Sequence, residues 1–156
     1  MIKIDVFIQE KKWKKHIVNP EKYLKQQINK IKNLIPLIKN KNISLSIMLS
    51  GNKNIKNLNK RYRCKNKTTD ILSFPFYKKN DLKKKIKVNK NTYLGDIILN
   101  YYKIKKLHKK IFINEFNKLW VHGFLHLLGY KHYKNKDYYK MNKLEKEILS
   151  RIGNAK

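Results

Sequence analysis

The sequence predicts an α+β fold, as one domain over residues 1–156. Three observations carry this. Four short segments have the apolar pattern of strands, and the last third of the chain repeats apolar residues at helical spacing. No repeat or linker divides the 156 residues, a length that suits one core. Ile2, Ile4, Val6 and Ile8 alternate with other residues, as in a half-buried strand. Pro20 stands where a first helical residue belongs, and Tyr23, Leu24, Ile28, Ile31, Leu34, Ile35 and Ile38 continue at helical spacing. Ile43, Leu45, Ile47 and Leu49 alternate again and predict a second strand. Ser50-Gly51-Asn52 is a turn that also caps a short helix, with Ile55 and Leu58 facing inward. Residues 61–69 are polar and read as a loop. Ile71, Leu72, Phe74 and Phe76 predict a third strand, with Pro75 marking an edge or a bend. Residues 77–92, rich in Lys and Asn, predict a solvated connection with room for a short strand around Ile86 and Val88. Tyr93 to Leu99 is the fourth strand. A short helical segment near Ile104 and Leu107 follows, then a longer helix from about Asn114 to Leu128. A last amphipathic helix runs from Asp137, with Tyr138, Met141, Leu144, Ile148 and Ile152 on one face.

Lys and Arg number 39 against 10 Asp and Glu, a formal charge of +29. A field of that size points to nucleic acid or an anionic surface. The composition offers a second source for it. Only Arg61, Arg63 and Arg151 are arginine, and Lys, Asn and Ile, which share A/T-rich codons, fill 75 of 156 positions. The charge permits an RNA partner without proving one. Cys64 is the only cysteine, which excludes an intrachain disulfide and a thiolate zinc site. Asp5 and Glu10 interrupt an N-terminus that does not read as a signal peptide, and the apolar runs fall short of the roughly 18 residues of a membrane span. The expectation is a soluble cytoplasmic protein.

Three of the five histidines fall within the eleven residues from His122 to His132. His122 and His126, four apart, share one face of a helix. Gly129 can end that helix with a left-handed residue, and the chain then returns His132 toward the same spot. Three neutral imidazoles from a helix and its exit turn make an open tripod for one divalent metal. Zinc is the default for nitrogen ligands, with nickel, copper and iron also compatible. The competing reading is two core or capping histidines and one surface histidine. The H-x3-H-x5-H spacing is shared with metzincin proteases, which require Glu after the first histidine as general base. That position here is Gly123, so a peptidase lacks its base.

The stretch from His122 to His132, H-G-F-L-H-L-L-G-Y-K-H, resembles the H-G-x-L-H-L-x-G-Y-D-H signature of the YbeY family, bacterial metal-dependent endoribonucleases that mature rRNA. Leu58 to Lys67 followed by T-T-D-I-L-S-F-P (68–75) is similar to the family's L-N-x-x-x-R…P-T-D-V-L-S-F-P block. Leu94-Gly-Asp-Ile97 is similar to its L-G-D-I strand, and Met141 to Leu149 to its closing M-x-x-L-E-x-x-I-L helix. The likeness covers about residues 45–150. It implies an α+β domain with a small mixed sheet, a metal held by His122, His126 and His132, and single-stranded RNA as substrate. It also implies a catalytic role for Arg63, processing of the 16S rRNA 3′ end, and ribosome quality control at the small subunit. Two positions depart from the family. Lys131 stands where the family has aspartate, and Thr68 where it has proline. An aspartate there can orient a ligating ring as hydrogen-bond acceptor; a lysine cannot accept.

The chemistry expected is phosphodiester hydrolysis by metal-activated water, with the planar, permanently charged Arg63 fork stabilising the transition state. Asp96 and Asp70 are candidates for orienting a ligand histidine, with a surface aspartate and a loop cap as the respective alternatives. Lys65 and Lys67 flank Arg63 and are candidates for tracking the RNA backbone. Trp120 reads as core and Cys64 as a bystander. Two other functions compete. One is an rRNA-binding assembly factor whose metal is structural; the other is a zinc peptidase, disfavoured by Gly123.

Overall fold

In the computed structural model, which describes residues 1–104 and 108–153, four strands form one mixed sheet. They are β1 (Ile2–Ile8), β2 (Ile43–Ser50), β3 (Ile71–Pro75) and β4 (Thr92–Asn100), in the order β1-β2-β4-β3. β1, β2 and β4 run parallel, and β3 closes the sheet antiparallel to β4. Parallel neighbours need a crossover to return the chain. Between β1 and β2 that crossover contains helix α1 (Pro20–Ile31), whose N-cap Asn19 accepts from the Lys22 N–H. The α+β class with four strands, as expected from the residues, is what the structure shows.

The sheet's two faces differ. Ile4, Leu45, Ile47, Ile97 and Leu99 face the main core, which is covered by α1, α4 (Lys109–Leu127) and α5 (Asn135–Gly153). Trp13 and Trp120 lie fully buried in this core, and the Trp120 indole donates to Asn117 Oδ1 at 2.9 Å. The opposite face carries a smaller cluster, Leu72 and Ile98 beneath Ile55 of α2 (Asn52–Arg63). Beside α2 that face is open, a groove of about 390 Å³ walled by Phe7, Met48, Leu58, Tyr62 and Phe74.

Several boundaries differ from the sequence expectation. The helix from Pro20 stops at Ile31, passes through a 3-10 turn (Lys32–Leu34) and meets Pro36, yet Ile35 and Ile38 still reach the core. Residues 61–63 are helical, the last of α2, because Cys64 takes the left-handed position (φ 55°) that ends the helix. Residues 79–88 form helix α3 (Lys79–Val88), not a connection with a strand. Leu82 and Ile86, one turn apart, are its only buried residues, while Val88 is exposed. Two inward apolar side chains suffice when a strand of the sheet, here β4, lies alongside, but they are too sparse to register as a helical period. α4 begins at Lys109, five residues earlier than expected, and buries Phe112. A 3-10 turn (Tyr101–Lys103) precedes it, Ile104 is buried, and Leu107 lies outside the described residues. α5 buries Met141, Ile148 and Ile152 as expected, whereas Tyr138 is half exposed.

Candidate metal centre

α4 lies flush on β3 and β4 because Gly123 presents no side chain to them. A Cβ there would stand 2.8 Å from Ile71 Cδ1, 3.0 Å from Ser73 Oγ and 3.1 Å from Ile97 Cγ2. A glutamate, the metzincin base, has no room at this position. One residue earlier, His122 projects away from the sheet, and His126 follows one turn later on the same side.

The helix ends in a Schellman turn. Gly129 (φ 85°) donates to the His126 carbonyl at 3.0 Å, and the Tyr130 N–H reaches back to the Leu125 carbonyl at 3.1 Å. This reversal brings His132 to the helical pair: its ring centroid is 5.6 Å from that of His122 and 5.0 Å from that of His126. One nitrogen from each ring lies within 4.8 Å of the others. The sequence expectation of a helix, a glycine turn and a returning third histidine is the geometry found.

The His126 ring orientation is decided by its surroundings. His126 Nδ1 is 2.9 Å from the Tyr130 carbonyl, which can only accept, so Nδ1 carries the proton and Nε2 is a bare lone pair. That Nε2 stands 3.0 Å from His122 Nε2. On its other side, His122 Nδ1 lies 3.4 Å from Glu145 Oε1 of α5. The three rings therefore fit a cation of nitrogen-ligand chemistry, around which neighbouring nitrogens sit about 3.3 Å apart. Burial holds the His126 imidazole below its ordinary pKa, and the His122, His132 and Arg63 charges push the same way, against the Tyr130 hydrogen bond. His132 is exposed, so the cluster opens to solvent on the loop side.

Arg63, the last residue of α2, is exposed and close enough for its charge to act on His126. α2 and α4 reach β3 from its two faces, which is how Arg63 and His122, far apart in sequence, converge on one edge strand. The loop after Arg63 is held by two buried asparagines. Asn59 Nδ2 donates to the Lys67 carbonyl at 2.9 Å, and Asn100 Nδ2 donates to the Thr69 carbonyl at 3.0 Å and to Asn52 Oδ1 at 2.8 Å. Lys65 and Lys67 are exposed on this loop. Asp70 ends it, with its carboxylate against Thr69 Oγ1 at 3.2 Å. Asp96 sits on the open face of the sheet, lining the groove beside α2, and accepts from the Tyr93 hydroxyl at 2.7 Å. Neither aspartate is brought to a histidine by these contacts. Glu145 is, although the sequence reading passed over it. Its signal was available: a carboxylate in a chain with 10 acidic residues, on the inner side of an amphipathic helix.

The family model described as endoribonuclease YbeY matches residues 7–153. The chain belongs to the YbeY family. It is 45% identical over 156 residues to the endoribonuclease YbeY of Pelagibacter ubique, covering 97% of both chains. Against the protein of the same name from Ehrlichia canis it is 33% identical, over 98% of this chain and 94% of that one. A solution structure from Thermotoga maritima shares the fold with a TM-score of 0.58 at 22% identity, covering 97% of this chain and 89% of that one. YbeY membership agrees with the motif likeness that was read from the residues. Among the described residues, no helix is long and apolar enough to cross a membrane.

Proposed function

We propose that this YbeY chain is a metal-dependent endoribonuclease of single-stranded RNA, acting in the cytoplasm on the 3′ end of 16S rRNA and in quality control of the small ribosomal subunit. The observation that carries the reading is the trio of histidines with two Nε2 atoms facing one another, within reach of the charge of Arg63. His122, His126 and His132 would hold one divalent ion, zinc by the preference of an all-nitrogen donor set. Such an ion supplies a Lewis acid that makes water a usable nucleophile near neutral pH.

The chain's own residues do the rest. Arg63 presents a fork of N–H donors to the non-bridging phosphate oxygens and offsets the charge that builds on them in the transition state. The Asn59 and Asn100 clamps keep the loop after Arg63 from drifting, with Lys65 and Lys67 set along it to follow the backbone. Gly123 leaves no carboxylate in the position from which a zinc peptidase draws its base.

The experiment is cleavage of a labelled single-stranded RNA carrying the 16S 3′ end by wild type and His126→Ala. Cutting by wild type alone supports the nuclease. RNA binding without cutting by either protein supports an assembly factor with a structural metal, a reading that Lys131 in place of the family aspartate keeps in view.

A further inference from the structure

We propose that Glu145 is a positioning residue for His122: its carboxylate accepts from the Nδ1–H of the ring and so turns a bare Nε2 toward the other two histidines. The assignment rests on the metal-site reading above.

Three observations converge. First, Glu145 Oε1 lies 3.4 Å from His122 Nδ1, on the side of the ring opposite the Nε2 that stands 3.0 Å from His126 Nε2. Second, His126 has the same arrangement with a different acceptor, its Nδ1 bonded to the Tyr130 carbonyl at 2.9 Å. Two ligand rings thus have an oxygen acceptor beside the outer nitrogen and the inner nitrogen aimed at the cluster, the arrangement that fixes tautomer and direction in histidine metal sites. Third, Glu145 has cations in abundance to choose from. In a chain with 39 Lys and Arg, its ion-pair partner is a histidine whose side chain is 34% exposed, while its own is 21% exposed. The other ion pairs among the described residues join lysines to more exposed carboxylates close in sequence.

The two acceptors come from different places. Tyr130 belongs to the exit turn of α4, whereas Glu145 is the third turn of α5, packed on α4. Through Glu145, the C-terminal helix takes part in aiming a ligand. Lys131 occupies the position of the family aspartate and its side chain offers no acceptor; Tyr130 and Glu145 are the acceptors placed against ligand rings among the described residues.

The test measures zinc affinity by competition with a chelating indicator for wild type, E145Q, E145L and His126→Ala, with helix content checked by circular dichroism. Removing such an acceptor commonly costs 10- to 100-fold in metal affinity, and E145L should fall by roughly that factor. E145Q keeps an acceptor oxygen and should lose less. Zinc bound by E145L within about twofold of wild type overturns the assignment. So does an E145Q loss as deep as that of His126→Ala, which would make Glu145 a direct ligand. Should E145L fail to fold, long-range proton–nitrogen correlation on the zinc-loaded wild type decides instead. His122 carrying its proton on Nδ1 supports the proposal, and a proton on Nε2 overturns it. Wild type that holds zinc but cuts no RNA removes the nuclease reading and leaves Glu145's role standing. Normal affinity in E145L does the reverse.

Discussion

In the proposed mechanism Arg63 and the histidines do different work, and their variants should separate. Arg63→Ala removes a donor that acts on developing charge, so cleavage should fall by about 10²–10³-fold while zinc affinity stays within a few-fold. Arg63→Lys keeps the charge and loses the planar fork, and should recover only part of the rate. Single-turnover cleavage paired with zinc titration checks both, and an Arg63→Ala enzyme of full speed would remove the arginine from the mechanism. At this scale the sequence was informative where chemistry is local. His122, His126 and His132 are joined by one helical turn and one glycine, so spacing alone brought them together. Glu145 reaches His122 only through the packing of two helices, and no pattern within α4 points to it. Asp96 shows the reverse failure: its position in a strand was legible, but the face to which it points depends on register, and it turns to Tyr93 and the open groove.

Elements were legible where apolar residues keep a period and illegible where lysine dilutes it. β1, β2 and the core of α4 could be read directly, because Ile and Leu recur at spacings of two or of three to four. α3 hides only two inward residues among lysines, and the end of α2 is set by a cysteine in a left-handed conformation where glycine or asparagine is the usual marker. The α4 exit is the reverse case, a glycine placed as expected, and it can be tested. At φ 85° Gly129→Ala is strained, and its Cβ would stand 2.9 Å from the Lys79 side chain. We expect a loss of about 1–2 kcal/mol in denaturant unfolding, together with weaker zinc binding as His132 is displaced. An unchanged midpoint would mean the turn relaxes without cost. Gly123→Glu addresses the peptidase alternative from the side of the fold. A carboxylate forced between α4 and β3 should cost more than about 3 kcal/mol, and the variant should be recovered unfolded or insoluble.

For the molecule as a whole, charge sets the conditions under which it works. At +29, self-repulsion opposes the compact state, so the melting temperature should rise with added salt while RNA affinity falls. If Lys65, Lys67 and Arg63 each neutralise a phosphate, binding should weaken about tenfold or more between roughly 50 and 200 mM salt. A flat profile would leave the lysine excess without a role in binding. Alkaline pH acts through tyrosine. Burial holds the Tyr23, Tyr93 and Tyr130 hydroxyls above their ordinary pKa. The unfolded chain therefore loses these protons first, and the stability they contribute, complete below about pH 10, is lost as pH climbs beyond it. Absorbance of tyrosinate followed alongside circular dichroism should show the two changes rising together. The placement of Trp13 and Trp120, both sealed in the main core, has an optical consequence. Indole emission from this protein should be blue-shifted and resistant to iodide, even though a surface so positive concentrates that quencher around it. RNA docking at the surface should leave the emission untouched, and a red shift should appear only when the core opens. The protein thus carries a built-in fluorescent report on its own folding that is silent toward its substrate.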